Sequence, residues 1–261
     1  MSKKKDILII GGTGGIGSNI SRVLVEDGHR VIVWGTNAEN FEKLTKKITK
    51  NECNISFEKV DISNKKEIEF ATKKIDNLDI LINAAAVLWP VKPFLESDLV
   101  EVKKSLDISM WGTIYACYFL MPILKRSSQG KIINFGGGGA SGPRENHLAY
   151  SLAKTALIRF TENISVEYPW VNINIIAPGA HKTNIWKDET FDSEPKKWGD
   201  MTRLIDFFRF LVGNESNGIS GRFINYKDDW DEKSFVDKIR NDSEFLTLRR
   251  IDDFQFTKIN K

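Results

Sequence analysis

Cysteine, long apolar segments and a strong net charge are all lacking in this chain of 261 residues. Its two cysteines, Cys53 and Cys117, cannot build a disulfide framework and have no metal-binding spacing, which is typical of a protein in a reducing compartment. The longest unbroken apolar run, Ile114–Met121, has 8 residues, whereas a membrane-spanning helix needs roughly 20. We therefore expect neither a disulfide-stabilised scaffold nor an integral membrane protein.

The net charge and the amino-terminal residues indicate which partners and which cellular location to expect. The 38 Lys and Arg residues nearly balance 35 Asp and Glu, and no dense basic stripe lies beyond Lys3–Lys5, so we expect no nucleic acid partner. The apolar run before Gly11 has only four consecutive residues, fewer than the roughly 7–15 of a signal peptide. We expect a cytoplasmic protein with no membrane association.

Short apolar runs alternate with amphipathic stretches of helical length along most of the chain. Several runs are apolar throughout, as in strands covered on both faces, and they predict strands at Ile7–Ile10, Val31–Trp34, Ile55–Val60, Ile80–Ile82, Ile132–Phe135 and Val171–Ile176. Helices are predicted at Ile16–Glu26, Glu39–Thr49, Lys65–Ile75, Leu99–Lys125 and Leu148–Glu167. The alternation predicts an α/β fold, a single-domain Rossmann-type doubly wound parallel sheet of about seven strands with helices on both faces.

The pattern loosens after residue 176. We expect a long loop at about 180–200 that covers the substrate, then a helix over Thr202–Val212 and a strand near Arg222–Asn225. The predicted division is a nucleotide-binding catalytic domain over 1–230 and a partly helical extension of unknown role over 231–261. Pro122 is expected to kink the fourth helix or to end it early.

A glycine-rich string follows the first predicted strand and opens the first predicted helix. Glycines there let the backbone approach a pyrophosphate, whose charge is met by N–H groups at the helix N-terminus. A tight turn without a ligand is the alternative, but the position in the first βα unit favours nucleotide binding. The predicted contacts are Gly11, Thr13, Gly14, Gly15, Ile16 and Gly17.

The end of the second strand bears on which dinucleotide is bound. A carboxylate there would bind the adenosine ribose and repel a 2′-phosphate, but the chain has Gly35, Thr36 and Asn37. This favours NADP over NAD, with the Thr36 hydroxyl as a phosphate donor. Asp61, after the third strand, either accepts a hydrogen bond from the adenine amino group or serves only as a turn residue.

Tyr150 and Lys154 stand four residues apart in the predicted helix after the fifth strand, so they share one helical face. A nearby ammonium favours the phenolate, and we expect it to lower the pKa of Tyr150 so that the phenol can give or take a proton.

With these motifs in order, the sequence resembles the short-chain dehydrogenase/reductase family over residues 5–226. The resemblance rests on Gly11 and Gly15–Gly17, Asp61, Leu81–Ala86, the Tyr150/Lys154 pair, and Pro178-Gly179 followed by Thr183. It implies NAD(P)-dependent oxidoreduction of a small carbonyl or alcohol, usually in a homodimer or homotetramer. It also implies that Lys154 bonds the nicotinamide ribose, that Asn83 supports the cofactor pocket and that Thr183 contacts the carboxamide side. The further cofactor contacts that it implies are Ile62, Ala84, Ala85, Pro178 and Gly179.

Two of the family's catalytic positions differ here. Gly137 stands where the family has its catalytic Ser, 13 residues before Tyr150, and the nearest hydroxyl is that of Ser141. Ser109 stands where the family has a helix Asn, and the usual NNAG motif is NAAA. We predict catalysis by Tyr150 and Lys154, with Ser141 or the backbone N–H groups of the glycine run polarising the carbonyl.

Two other functions stay open. Because of Gly137 and Ser109, the protein is alternatively a nucleotide-binding sensor or scaffold with little catalysis, or else a reductase of a nucleotide-sugar or polysaccharide precursor. His147 is expected to be a solvated loop residue rather than a substrate contact, and Arg144 to meet either an anionic substrate group or a surface carboxylate. His29 and His181 lie far apart without ligand spacing, so no metal is predicted.

Overall fold

Seven parallel strands form the central sheet of the computed structural model, which describes residues 4–49 and 54–250. Cys53 and the predicted extension beyond Arg250 lie outside the described residues. The strands are β1 (Asp6–Ile10), β2 (Arg30–Gly35), β3 (Ile55–Lys59), β4 (Ile80–Asn83), β5 (Lys131–Phe135), β6 (Asn172–Ala177) and β7 (Phe223–Asn225). Their order across the sheet is β3-β2-β1-β4-β5-β6-β7, and each neighbouring pair is parallel. The predicted fold class is confirmed.

The strand order reverses between β1 and β4, because the chain leaves the β3 edge and returns beside β1. In open α/β sheets a ligand crevice forms outside the carboxyl ends of the strands at such a reversal. The fold therefore places the residues after β1, β4 and β5 around one crevice.

Helices cover both faces of the sheet. They are α1 (Gly15–Glu26), α2 (Ala38–Thr45), α3 (Lys65–Thr72), α4 (Leu99–Leu106), α5 (Gly112–Leu124), α6 (Leu148–Glu167), α7 (Met201–Val212) and α8 (Lys233–Asn241). Alternate residues of β1 reach opposite faces: Ile7 and Ile9 join a core with α1 and α7, whereas Leu8 and Ile10 join a core with α3 and α5. Apolar burial on both faces explains why the strands are continuous apolar runs.

The predicted helix over Leu99–Lys125 is interrupted. A π-helical turn at Asp107–Trp111 separates α4 from α5, and it carries Ser109. Such turns commonly occur at functional sites because they displace side chains from the regular helical positions. Pro122 does not end the helix early, since α5 continues to Leu124.

The described part of the extension packs onto the domain. Val236 and Ile239 of α8 join the core under α7. Arg222 donates to the carbonyls of Ile239, Asp242 and Ser243. The backbone N–H of Phe223 donates to the carbonyl of Leu246, which brings residue 246 to the cleft described below. None of the helices in the described ranges combines the length and apolar character that a bilayer crossing requires.

Candidate functional site

A cleft of about 1060 Å³ opens at the carboxyl ends of the strands. This exceeds the roughly 300–1,000 Å³ of a pocket for a drug-sized ligand, so there is room for a large ligand with a small one beside it. The predicted site residues that line it are Gly11, Thr13, Gly14, Gly15, Ile16, Gly17, Gly35, Thr36, Asn37, Asp61, Ile62, Ala84, Ala85, Ser141, Tyr150, Lys154, Pro178, Gly179 and Thr183. Their assignment to a cofactor stays a prediction.

The glycine loop presents an uncapped helix N-terminus to the cleft. Gly14 is the N-cap of α1 and supplies no side-chain cap, and the first turn has no acidic residue. A Cβ on Gly11, whose φ is +77°, would lie 2.7 Å from the backbone nitrogen of Ala85, so only glycine fits there. The free N–H groups and the positive end of the helix dipole suit a phosphate group.

The loop over the cleft begins directly above these glycines. A Cβ on Gly15 would lie 2.3 Å from the Cβ of Thr183, so Thr183 packs against the phosphate loop. The missing side chain at position 15 thus allows close approach between the loop after β6 and the start of α1.

The far end of the cleft, after β2, is polar without a basic group. Asn37 caps α2 by accepting the backbone N–H of Asn40 at 3.0 Å, and Asn40 also lines the cleft. Asp61 accepts the backbone N–H and the hydroxyl of Ser63 at 2.9 and 2.7 Å, so it is a turn residue that also faces the cleft.

Asn83 lies beneath the cleft rather than in its lining. Its side-chain amide donates to Oδ1 of Asn134 at 2.9 Å, and Asn134 donates to the hydroxyl of Thr161 at 3.0 Å. All three residues are buried, and Oδ1 of Asn83 has no hydrogen-bond partner among the described residues. This chain of hydrogen bonds, through two amides and a hydroxyl, links β4, β5 and α6 under the site.

Tyr150 and Lys154 face the cleft from α6, but burial governs their protonation. Lys154 is buried, its Nζ donates to the carbonyl of Phe135 at 2.8 Å, and desolvation lowers its pKa to about 7. Burial raises the pKa of Tyr150 to about 12, and the charge of Arg144 opposes this only in part. The expected lowering of the Tyr150 pKa is therefore wrong for this structure, because desolvation outweighs every nearby charge.

The Tyr150 hydroxyl occupies the space left by the missing side chain at position 137. A Cβ on Gly137 would lie 2.3 Å from that oxygen. Ser141 lines the cleft but is exposed, and its hydroxyl makes no hydrogen bond within the described residues. The structure thus brings Ser141 to the cleft without joining it to Tyr150.

Ser109 holds the loop after β4. Its hydroxyl accepts the backbone N–H of Val87 at 3.1 Å and lies 3.4 Å from the Val87 carbonyl oxygen. Ser109 is fully buried, and Ala86, Val87 and Leu88 line the cleft. The π-helical turn therefore fixes one wall of the site from behind.

His147 and Arg144 meet in a cluster that the sequence did not reveal. His147 is fully buried, so its prediction as a solvated residue is wrong: Nε2 lies 2.8 Å from Oε2 of Glu189, and Nδ1 faces the carbonyl of Glu145. Arg144 bonds Glu189 and Asp192 at 2.7 Å each, which agrees with a carboxylate partner. These partners lie over 40 residues away in a loop without periodicity, so no spacing signal pointed to them.

The same cluster is the one group of potential metal ligands found among the described residues, formed by His147, Glu189 and Asp192. The Arg144 guanidinium already bridges both carboxylates. Ion pairs between the Arg144 guanidinium and the two carboxylates therefore explain why these side chains lie together.

An apolar wall adjoins the phenol. Leu88, Val91 and Tyr150 form a buried cluster against Ala86 and Ile185. Trp186 of the covering loop also lines the cleft, and its ring meets that of Trp198 edge-on at 5.1 Å. Further lining residues that the sequence did not single out are Asn184, Asp188, Asn225, Asp228 and Leu246.

Solved structures with this fold support the architecture. A short chain dehydrogenase of Shigella flexneri, solved in complex with NADP, superposes with a TM-score of 0.80 over 87% of this chain and 98% of that one, at 20% identity. Levodione reductase gives a TM-score of 0.79 over 86% of this chain and 96% of that one, at 19% identity. At these identities the likeness shows the fold.

Sequence comparison extends over nearly the whole chain. The (S)-acetoin-forming diacetyl reductase of Staphylococcus epidermidis is 28% identical over 255 residues, covering 95% of this chain and 96% of the reductase. The 11-beta-hydroxysteroid dehydrogenase-like 3 protein of Arabidopsis thaliana is 30% identical over 191 residues, or 70% of this chain and 60% of that protein. The family model of short chain dehydrogenases matches residues 5–194, from β1 into the loop over the cleft. This chain therefore belongs to the short-chain dehydrogenase/reductase family of oxidoreductases.

Proposed function

We propose that this protein is an NAD(P)H-dependent carbonyl reductase that prefers NADPH and acts on a small uncharged carbonyl compound. The observation that carries the proposal is that Tyr150 and Lys154 share one cleft with an uncapped helix N-terminus. A dinucleotide fits those residues, because the glycine loop ends at a helix N-terminus that has neither a side-chain cap nor an acidic residue in its first turn. When bound, the reduced nicotinamide supplies the hydride that adds to the carbonyl carbon.

Tyr150 is the general acid in this proposal. As the carbonyl carbon is reduced, the electron pair of the C=O bond moves to oxygen, and the phenol transfers its proton there. With its pKa raised to about 12, the hydroxyl keeps its proton across the neutral range, as a proton donor requires. Lys154, below the phenol and bonded to the Phe135 carbonyl, is placed to bond the nicotinamide ribose.

The preference for NADPH rests on the groups after β2. Thr36, Asn37 and Asn40 line the cleft there, and none of them is a carboxylate that would repel a 2′-phosphate. Hydroxyl and amide groups beside the N-terminus of α2 offer hydrogen bonds to such a phosphate.

An uncharged substrate follows from the surroundings of Tyr150. The cluster of Leu88, Val91 and Ile185 offers apolar contact. The charge of Arg144, which lines the cleft, is balanced by Glu189 and Asp192, so no net positive charge remains there to select a substrate carboxylate. We also propose a cytoplasmic location and a homodimer or homotetramer.

A nucleotide-binding sensor is the second candidate. The observation that favours it is that the Tyr150 hydroxyl packs into the space at Gly137, while Nζ of Lys154 lies 5.5 Å from the centroid of the Tyr150 ring and donates to the Phe135 carbonyl. A sensor would bind NADPH and oxidise none of it with any carbonyl.

Measuring turnover distinguishes a carbonyl reductase from a nucleotide-binding sensor. NADPH and NADH are titrated separately while nicotinamide fluorescence is recorded, and then 2,3-butanedione and pyruvate are compared as an uncharged and a carboxylate methyl ketone. We expect tighter NADPH binding, oxidation of NADPH with 2,3-butanedione and little with pyruvate. Tyr150→Phe is expected to keep NADPH affinity and to lose about 10²–10⁴-fold in kcat. Undiminished turnover by Tyr150→Phe would refute its role.

A further inference from the structure

With Gly137 in place of a hydroxyl residue, Tyr150 is left as a single side-chain donor to the substrate's carbonyl oxygen. Removing one of two such donors commonly costs about 10²–10³-fold in rate. The question is therefore which group in the cleft replaces the missing donor. Ser141 is exposed and is not bonded to Tyr150. Arg144 is the other candidate, because it borders the same glycine run as Tyr150.

The Arg144 side chain lies along the glycine run that borders Tyr150. A Cβ on Gly138 would lie 3.6 Å from Nη1 and 3.7 Å from Cδ of Arg144. Gly137, Gly138, Arg144 and Tyr150 all line the same cleft. The positive charge acts on the phenol, since it opposes the rise of the Tyr150 pKa.

The hydrogen bonds of Arg144 leave one nitrogen unused. A guanidinium has five N–H donors. Nε donates to Oδ2 of Asp192 at 2.9 Å, and Nη2 donates to Oε2 of Glu189 and Oδ2 of Asp192 at 2.7 Å each. Nη1, the nitrogen beside Gly138, has no partner within the described residues. The loop carboxylates thus hold the guanidinium through Nε and Nη2 and leave Nη1 beside Gly138, a residue that lines the cleft.

We propose that Arg144 donates a hydrogen bond through Nη1 to the substrate's carbonyl oxygen, in place of the hydroxyl that Gly137 lacks; this inference rests on the proposed function. Arg144 keeps its protons throughout, because a guanidinium does not deprotonate in proteins. It stabilises the negative charge that develops on oxygen while Tyr150 supplies the proton. Glu189 and Asp192 are positioning residues that orient the donor and balance its charge.

The test separates this role from simple attachment of the covering loop. Arg144→Gln and Arg144→Lys are compared with Glu189→Gln at saturating NADPH and 2,3-butanedione, using NADPH and its 4-deuterated form. Arg144→Lys retains a cation for the two carboxylates but lacks the Nη1 branch. Arg126→Gln is the matched control, because Arg126 is an exposed arginine that donates to the Asp76 carbonyl far from the cleft. NADPH affinity and thermal midpoints establish that each variant is folded.

We expect both Arg144 variants to lose about 10²-fold in kcat with an increased deuterium isotope effect, since the hydride step becomes slower. Glu189→Gln is expected to raise KM more than it lowers kcat, and Arg126→Gln to behave like the unchanged protein. Retention of kcat within threefold by the Arg144 variants would overturn the inference alone. The inference would also be overturned if the Arg144 variants lost only as much kcat as Glu189→Gln and showed no change in the deuterium isotope effect. Absence of turnover by the unchanged protein with 2,3-butanedione and other uncharged ketones would instead overturn the proposed function.

Discussion

Tyr150 and Gly137 fit each other at the centre of the cleft: a Cβ on Gly137 would lie 2.3 Å from the Tyr150 hydroxyl oxygen and 3.0 Å from the ring carbon that bears it. The absence of a side chain at position 137 therefore sets where the phenol lies. The residue that departs from the family pattern is part of the geometry of this site.

Restoring a serine at position 137 is expected to reduce activity. Gly137→Ser would push the phenol out of its position, and a displacement of about 1 Å can cost roughly 10²-fold in rate. The measurement is kcat with NADPH and 2,3-butanedione. Gly142→Ser is the matched control, because nothing lies within 4 Å of a Cβ there. An increase in kcat for Gly137→Ser would contradict the conclusion that the missing side chain at position 137 sets the position of the Tyr150 phenol.

Asn37→Asp is expected to shift the cofactor preference towards NADH. Asp caps a helix as well as Asn does, so α2 should be unaffected, while the new carboxylate repels a 2′-phosphate. We expect the Kd for NADPH to rise about tenfold or more, with a smaller change for NADH. Asn64→Asp makes the same change at the N-cap of α3, outside the cleft lining, and serves as the control. If Asn37→Asp bound NADPH as tightly as the unchanged protein does, the 2′-phosphate would not lie at the end of the cleft after β2.

Two serines one turn apart are expected to respond in opposite ways to alanine substitution. Ser109→Ala leaves the N–H of Val87 without its acceptor and should cost about 1–3 kcal/mol of unfolding free energy. Ser105→Ala removes a fully buried hydroxyl that has no partner in the described chain, so it should be neutral or stabilising. Urea denaturation measures both. Equal losses would show that the Ser109 bond to Val87 contributes nothing specific.

Stability is expected to rise with pH above 7 because of Lys154. Its pKa in the folded protein is lowered to about 7 from the ordinary 10.5, so between these values the unfolded chain binds more protons than the folded one. The slope is at most about 1.4 kcal/mol per pH unit for one such lysine. Denaturation of Lys154→Met between pH 7 and 9 should show a shallower slope than the unchanged protein.

Lys131, at the opposite end of the sheet, provides an independent test of the link between a buried lysine and pH-dependent stability. It is buried, donates to the Leu211 carbonyl and the Ser216 hydroxyl, and its pKa is also lowered to about 7 by burial. Lys131→Met should flatten the pH dependence again, and the double variant more than either single one. Parallel curves for all four proteins would be inconsistent with neutral buried lysines in the folded state.

The amino-acid sequence by itself determined the strands, most of the helices and the family, but not the π-helical turn that separates α4 from α5. Apolar runs such as Ile7–Ile10 and Ile80–Ile82 are local signals, because a strand covered on both faces must be apolar along its length. The glycine loop and the Tyr150/Lys154 spacing are equally local, so the cleft could be located from them. The same holds for α6, whose predicted and observed bounds coincide.

Only the tertiary structure decided the pKa values of the site's ionisable side chains and the residues that they contact. The pKa values of Tyr150 and Lys154 depend on desolvation by distant segments, which no spacing encodes. Arg144 and His147 meet Glu189 only because the loop after β6 folds back over the start of α6. Side chains 42 and 45 residues apart become neighbours through packing, and that packing is a property of the folded chain rather than of any local pattern.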